Sequence, residues 1–277
     1  MSKKRKLSII GAVVVVLAII GGACWWWFGY EVPHREALAS YENAVSMVNS
    51  KNKKLDDSLA KLTKLIDSKD ETLNPQTKKD ASEVAKSAKK ERRAVGEQPK
   101  KTNELNQKAS ELSKPLDYTA TIAKINEATT NVENGIKQLK QVTNPSQDFV
   151  MARLKEVPGI LNMAPVTEDN DPNGNLNKAG GYTSTVYFES QNVDQSAVYG
   201  KDLIDKGADA GGAIETYKTD KDVTKRDAYL GAFDGGILSS GSHKVIGTVL
   251  VRTSTKLTAT QQNELTQAII NALTRLE

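Results

Sequence analysis

The sequence predicts a single-pass membrane protein in which an all-α stalk, either a helical bundle or a coiled coil, carries a small α+β domain. Three observations lead to this prediction: an uncharged apolar stretch near the N-terminus, long heptad patterns after it, and strand patterns that alternate with helix patterns towards the C-terminus. We place the cytoplasmic tip and transmembrane helix at residues 1–30, the helical stalk at 31–146 and the extracellular α+β domain at 147–277.

The N-terminal stretch is long and apolar enough to span a bilayer. Residues 7–28 carry no charge, and a helix of this length reaches about 33 Å, close to the thickness of the hydrocarbon core. Four cations precede it, at residues 3–6, which predicts a cytoplasmic N-terminus. An aromatic belt at residues 25–30 marks the outer interface. The predicted location is therefore the cell membrane, with the chain extracellular from about residue 31.

Two other interpretations of this segment remain open. Residues 9–20 also suit the apolar region of a signal peptide, and the small residues Gly21, Gly22 and Ala23 suit cleavage. Cys24 is similarly placed to the cysteine of a bacterial lipoprotein signal, although Gly21 stands where that signal has a branched apolar residue. Each alternative still exports the rest of the chain.

Composition limits the classes of function. The net charge is +4, but the stalk is basic and the α+β domain acidic, so nucleic acid is not a predicted partner. Cys24 is the single cysteine, which leaves the exported part without a disulfide, a thiolate metal site or a cysteine nucleophile. The bilayer is the one partner that composition predicts directly.

The stalk is predicted to contain three helical arms, at 33–68, 75–114 with a break near Pro99, and 116–143. Apolar residues follow an a/d heptad pattern in the first and third arms. The pattern suits an intrachain bundle or a homodimer through the stalk, and the sequence favours neither decisively. Asn52 stands at an a position, where it would set the register of a dimer or be an ordinary polar interruption.

A basic stretch at residues 78–101 is the densest one outside the predicted span. It suits docking to an anionic cell-wall polymer or to lipid headgroups, and it also suits a solvated helix face.

The C-terminal part alternates strand and helix patterns. The strand patterns cover 182–189, 213–219 and 244–253, and the helix patterns cover 195–206, 220–233 and 258–276. This βαβαβα order predicts a three-stranded sheet with helices packed on it. Residues 249–251 are all apolar, which predicts a strand covered on both faces.

One loop has the opening pattern of a calcium site. Asp169, Asp171 and Asn173 alternate as they do in an EF-hand loop and are candidate calcium ligands. Gly180 stands where that loop needs a bidentate glutamate, so an ordinary polar loop is the competing interpretation.

Catalytic patterns are poor, and we predict neither catalytic residues nor an enzyme. His243 has serines around it, with Asp234 upstream, but no nucleophile elbow is present. These serines are Ser239, Ser240 and Ser242.

Residues 158–277 resemble a C-terminal module of EbhA-like membrane-anchored exported proteins from bifidobacteria and related Gram-positive bacteria. The resemblance rests on these runs: TEDNDPNG at 167–174, GGYT at 180–183, RDAYL at 226–230, FDG at 233–235, SGSH at 240–243, GT at 247–248 and VRTS at 251–254. It implies location and architecture, and it carries no site residues.

The predicted function is therefore that of a non-enzymatic cell-envelope protein. It would present an α+β binding domain on a helical stalk, in adhesion or another envelope interaction with a wall polymer or a surface protein. The alternative is a scaffolding protein that oligomerises through its stalk.

Overall fold

The computed structural model describes residues 3–236 and 241–277, with side chains described from residue 13 onward. The chain is mostly helical and contains a five-stranded antiparallel sheet. It packs as two compact units. The helical unit comprises Met1–Ile66 and Asp80–Thr129, and the sheet unit comprises Asp67–Lys79 and Thr130–Glu277.

A continuous helical run opens the helical unit. Helix α1, Lys3–Trp26, passes through one π-helical turn at Trp27–Glu31 into α2, Val32–Ile66. The apolar part of α1 buries none of its described side chains in the protein. In length and composition, this run could cross a membrane or serve as a signal helix.

The predicted arms form helices, but the middle arm divides in two. Helices α3, Gln76–Glu91, and α4, Thr102–Leu112, are separated by an extended segment that includes Gly96, at φ +76°, and Pro99. Helix α5 follows at Thr119–Gln141. Helix α2 packs on α4 through small and apolar side chains: Ala37, Tyr41, Ala44, Val48, Leu105, Ala109 and Leu112.

The buried polar network of the helical unit, made by Asn52, Arg93 and Tyr118, connects α2 to the segments flanking α4. The Asn52 amide donates to the Arg93 carbonyl (2.8 Å), and the Tyr118 hydroxyl donates to Asn52 Oδ1 (2.9 Å). The Arg93 N–H in turn donates to the Tyr118 oxygen (2.7 Å). Asn52 therefore positions the extended segment within its own chain, a role that neither sequence interpretation contained.

The described residues of the sheet unit form four further α-helices and five strands. They are α6 Gln147–Leu154, β1 Ile160–Pro165, β2 Tyr182–Ser190, α7 Leu203–Lys206, β3 Gly211–Tyr217, α8 Asp220–Gly231, β4 Ser242–Ile246, β5 Val249–Thr253 and α9 Ala259–Thr274. The strands lie in the order β1-β2-β3-β5-β4, and every neighbouring pair is antiparallel.

The prediction of a three-stranded sheet is wrong because two strands were missed. The segment 244–253 is a hairpin, since the chain turns at Gly247 with φ +57°. A side chain there would also approach the Val142 carbonyl oxygen at 2.5 Å. Strand β1, of sequence ILNMAP, has no alternating pattern and ends in proline, so it gave no strand signal.

The end of α5 belongs with the sheet rather than with the other helices. Val142 is fully buried in the main core of the sheet unit, and its carbonyl accepts the Thr248 N–H at 3.0 Å. The predicted boundary at residue 147 lies between α5 and α6, whereas the packing boundary crosses α5 near Thr130.

Candidate functional site

A carboxylate is buried in the middle of the sheet. Glu215 lies on β3 with only 1% of its surface exposed. Its register partner on β5 is Leu250, so Arg252 lies diagonally across on the same face. Tyr217 is two residues further along β3 and therefore also on that face. Arg226, on α8, packs above them.

These four side chains form what we call the Glu215 cluster. Arg252 Nη1 lies 2.7 Å from Glu215 Oε1, and Arg226 contacts both carboxylate oxygens, at 3.0 and 3.2 Å. The Tyr217 hydroxyl donates to Oε2 at 2.7 Å. Two cations face one anion, so the cluster carries one excess positive charge.

Burial and charge oppose each other in this cluster. Burial by itself would raise the pKa of Glu215, but Arg252 and Arg226 outweigh it and hold that pKa below its ordinary value. Burial and the neighbouring carboxylate both raise the pKa of Tyr217. Glu215 is therefore ionised, Tyr217 is a neutral donor, and Arg226 is held in one orientation.

A pocket of 380 Å³ opens beside Arg226 in the sheet unit. We call it the Arg226 pocket. Its polar and aromatic walls include Asn173, Asn175, Tyr182, Lys225, Arg226 and Tyr229. Arg226 uses Nε and Nη2 on Glu215, and its Nη1 forms no hydrogen bond with another residue that the structure describes. The Lys225 ammonium, also on α8, is exposed and has no ion-pair partner among the residues that the structure describes.

The close approach of two backbone segments shapes one wall of this pocket. At Gly181 a side chain would meet the Asn175 carbonyl oxygen at 2.0 Å, so only glycine permits the two loop segments to approach so closely. The Gly181 N–H also donates to the Lys178 carbonyl (2.9 Å). The glycine pair at 180–181 thus closes the loop that presents Asn173 and Asn175.

The candidate calcium ligands are placed in this same loop. Asp171 Oδ1 accepts hydrogen bonds from the Asn173 N–H (3.0 Å) and the Tyr182 hydroxyl, and Oδ2 accepts one from the Leu176 N–H (2.7 Å). Burial would raise the pKa of Asp171, but these bonds outweigh it and lower that pKa.

Asp171 therefore stabilises the conformation of the loop through hydrogen bonds. Asn173 reaches the Tyr187 hydroxyl at 3.5 Å, and the structure brings no group of three carboxylate, histidine or cysteine side chains together for a metal within the described ranges. Calcium binding through Asp169, Asp171 and Asn173 stays a prediction.

His243 lies in a different part of the sheet unit. Its Nδ1 is 2.6 Å from Asp227 Oδ1, and its Nε2 is 3.2 Å from Asp234 Oδ2. Both ring nitrogens thus contact carboxylates, and in this arrangement neither is left to take a proton from a serine. Ser239 and Ser240 lie outside the described residues, and Ser242 begins β4.

The Glu215 cluster was missed from the sequence. Its one signal is a glutamate inside an otherwise small, apolar and aromatic strand pattern, followed 37 residues later by an arginine at the end of another such pattern. Pairing them requires the strand register, which the sequence alone does not contain.

Comparison of the chain with models of known protein families, with curated proteins and with solved structures finds no match. The resemblance to EbhA-like proteins therefore stays a prediction.

Proposed function

We propose that this chain is a non-enzymatic protein of the bacterial cell envelope. A single N-terminal span holds it in the membrane with its N-terminus in the cytoplasm. The sheet unit lies outside the cell, where it binds a partner in adhesion or another envelope interaction.

The observation that carries the proposal is the exposure of apolar side chains on α1. Val14, Leu17 and Ile19 are 60%, 62% and 65% exposed, respectively, and none of the described residues of this apolar segment is buried inside the protein. Burying one such side chain is worth about 1.5–3 kcal/mol. In a bilayer all these apolar side chains are removed from water, whereas in solution they stay exposed to it.

The residues after α1 support an interface at its C-terminal end. The Arg35 guanidinium lies 5.2 Å from the centre of the Trp27 ring, and Tyr30 stacks on His34 at 5.6 Å. Trp and Tyr prefer the boundary between lipid and water, where one side of the ring is apolar and the other is wet. Charged residues become frequent directly after this boundary.

The binding role rests on the Arg226 pocket. Its arginine, Arg226, is held in place by two hydrogen bonds to Glu215. The volume of the pocket is in the range of small-molecule sites, and its walls are mostly polar. The described side chains around it show no nucleophile paired with a base, so binding explains the site better than catalysis.

The scaffolding alternative receives less support. Oligomerisation through the stalk would need the a/d side chains of α2, but Leu55 and Leu62 are fully buried within the chain. A homodimer through this seam would require the helical unit to open.

The anchoring is tested by expressing the full chain in a Gram-positive host and extracting the membranes at alkaline pH. The expected result is full-length protein, with an intact mass of 30.1 kDa, in the membrane pellet. A control with Leu17→Arg and Ile20→Arg should lose this retention, since each central arginine costs about 2.5–3.5 kcal/mol on insertion. Soluble wild-type protein, or a mass that lacks the first residues, would contradict the proposal.

A further inference from the structure

The Arg226 pocket has features that point to the class of its ligand. First, its two cations are accessible, and one of them, Arg226, is held in position. The two contacts to Glu215 fix the plane of the Arg226 guanidinium, and its side chain keeps 19% of its surface exposed. Lys225 immediately precedes Arg226 on α8. An anionic group entering the pocket would meet two positive charges, one of them preorganised.

Second, the rest of the wall suits neutral hydroxyl groups. The side-chain amide of Asn175 can both donate and accept hydrogen bonds, and it forms none with another described residue. Asp222 accepts a hydrogen bond from the Thr219 hydroxyl through Oδ2, at 2.6 Å. Its other oxygen, Oδ1, remains as an acceptor on the pocket side, where it lies 3.7 Å from the position that a Cβ atom on Gly180 would occupy.

Third, one aromatic ring is presented to solvent at the pocket. Tyr229 is 56% exposed, although its ring contacts Phe233 edge-on at 5.2 Å and the Arg226 guanidinium at 5.4 Å. An exposed tyrosine that is held in place from two directions offers a rigid apolar surface. The C–H groups of a sugar ring are suited to such a surface.

From these three features we propose that the Arg226 pocket binds a carboxylated sugar. The carboxylate lies at Arg226 and Lys225, the hydroxyl groups meet Asn175 and Asp222, and the ring lies against Tyr229. The inference rests on the proposed function, because it names the ligand class of the extracellular binding unit. At 380 Å³ the pocket has room for one sugar residue rather than a long chain.

Charge distinguishes this ligand from a phosphorylated sugar. The charged groups of the cluster and of the pocket wall sum to +1, since the three cations Arg226, Arg252 and Lys225 stand against the two carboxylates of Glu215 and Asp222. A carboxylate carries one negative charge and is matched by this balance. A phosphate monoester carries about −1.5 to −2 at neutral pH and would bring an unbalanced charge into the pocket.

The test is calorimetric titration of the full chain in an amine-oxide detergent, which has no sugar headgroup. The probes are D-glucuronate, D-glucose, D-glucose 1-phosphate and acetate. Glucuronate should bind at least about tenfold more tightly than each of the other three. Equal affinity for glucose or for acetate would overturn the proposal, as would preference for the phosphate.

Matched variants on α8 locate the binding. Lys225→Ala and Tyr229→Ala should each weaken glucuronate binding by about threefold to tenfold, because both side chains are exposed and their removal leaves the core intact. Lys221→Ala removes an exposed lysine from the same helix outside the pocket and should leave the affinity unchanged. An equal loss in all three variants would overturn the assignment to this pocket.

The two proposals fail in different ways. If glucuronate does not bind while the chain stays in the alkali-extracted membrane pellet, the ligand class is wrong and the anchored envelope protein stands. If glucuronate binds but the chain is soluble, the pocket assignment stands and the anchoring fails.

Discussion

Replacing Glu215 with glutamine should strongly destabilise the sheet unit. The substitution keeps the shape of the side chain and removes its charge. Arg252, 9% exposed, and Arg226, 19% exposed, then face each other without a counter-charge. Removing one partner of a buried ion pair costs about 3–5 kcal/mol, because the remaining charge stays out of water.

The loss can be measured by hydrogen exchange, which reports each segment of the chain separately. A loss of about 3 kcal/mol lowers the protection of β3 and β5 amides by on the order of a hundredfold. Glu83→Gln is the matched control, because Glu83 forms an ion pair with Lys86 on an exposed helix face. Loss of this ion pair should change the protection of the β3 and β5 amides by less than about threefold. If the β3 and β5 amides of Glu215→Gln keep protection factors within threefold of those of the wild type, the reasoning is refuted.

Three further predictions concern other parts of the chain. Because the folded pKa of Glu215 lies below its ordinary value of 4.5, its contribution to stability is present above that pH and is lost as the pH falls through the folded pKa. As the pH is lowered below about 4.5, the urea concentration at the unfolding midpoint of the sheet unit should therefore decrease, and it should decrease less steeply with pH in Glu215→Gln. Equal slopes of midpoint against pH in the two proteins would contradict this. Tyr118→Phe should cost about 1–3 kcal/mol by leaving the buried polar network of the helical unit unpaired, whereas Tyr41→Phe, at a buried tyrosine outside that network, should cost little in urea unfolding. Gly247→Ala should lower the melting temperature more than Gly235→Ala, because both have positive φ but only Gly247 is closely approached by other atoms; equal losses would show that backbone strain alone matters.

The sequence predicted best where one local pattern determines one element. The a/d spacing predicted helices α2 and α5, and residues 249–251 predicted a strand covered on both faces. Strand β5 is indeed buried at every position, between β3 and β4. The predicted helix pattern at 258–276 is also confirmed by α9, which Thr258 caps: its hydroxyl accepts the Gln261 N–H, and the Gln261 side chain accepts the Thr258 N–H.

The parts that were missed depend on contacts between distant residues. Strand β1 pairs with β2 at the sheet edge with an irregular register between Ile160 and Met163, and the chain carries no local pattern for it. The Glu215 cluster joins residues from two strands and a helix, so it exists only once the sheet register and the position of α8 are set. Asn52 likewise has partners 41 and 66 residues away.

The central claim, that the chain is anchored in the membrane with everything after the span outside the cell, is tested most directly by cysteine labelling. Cys24 is the single cysteine, so Cys24→Ser provides a clean background. Ser50→Cys in that background, at an exposed position of α2, should react with a membrane-impermeant maleimide on intact cells. Ser2→Cys should react only after the cells are lysed. Protection of Ser50→Cys on intact cells, with labelling only after lysis, would contradict the account.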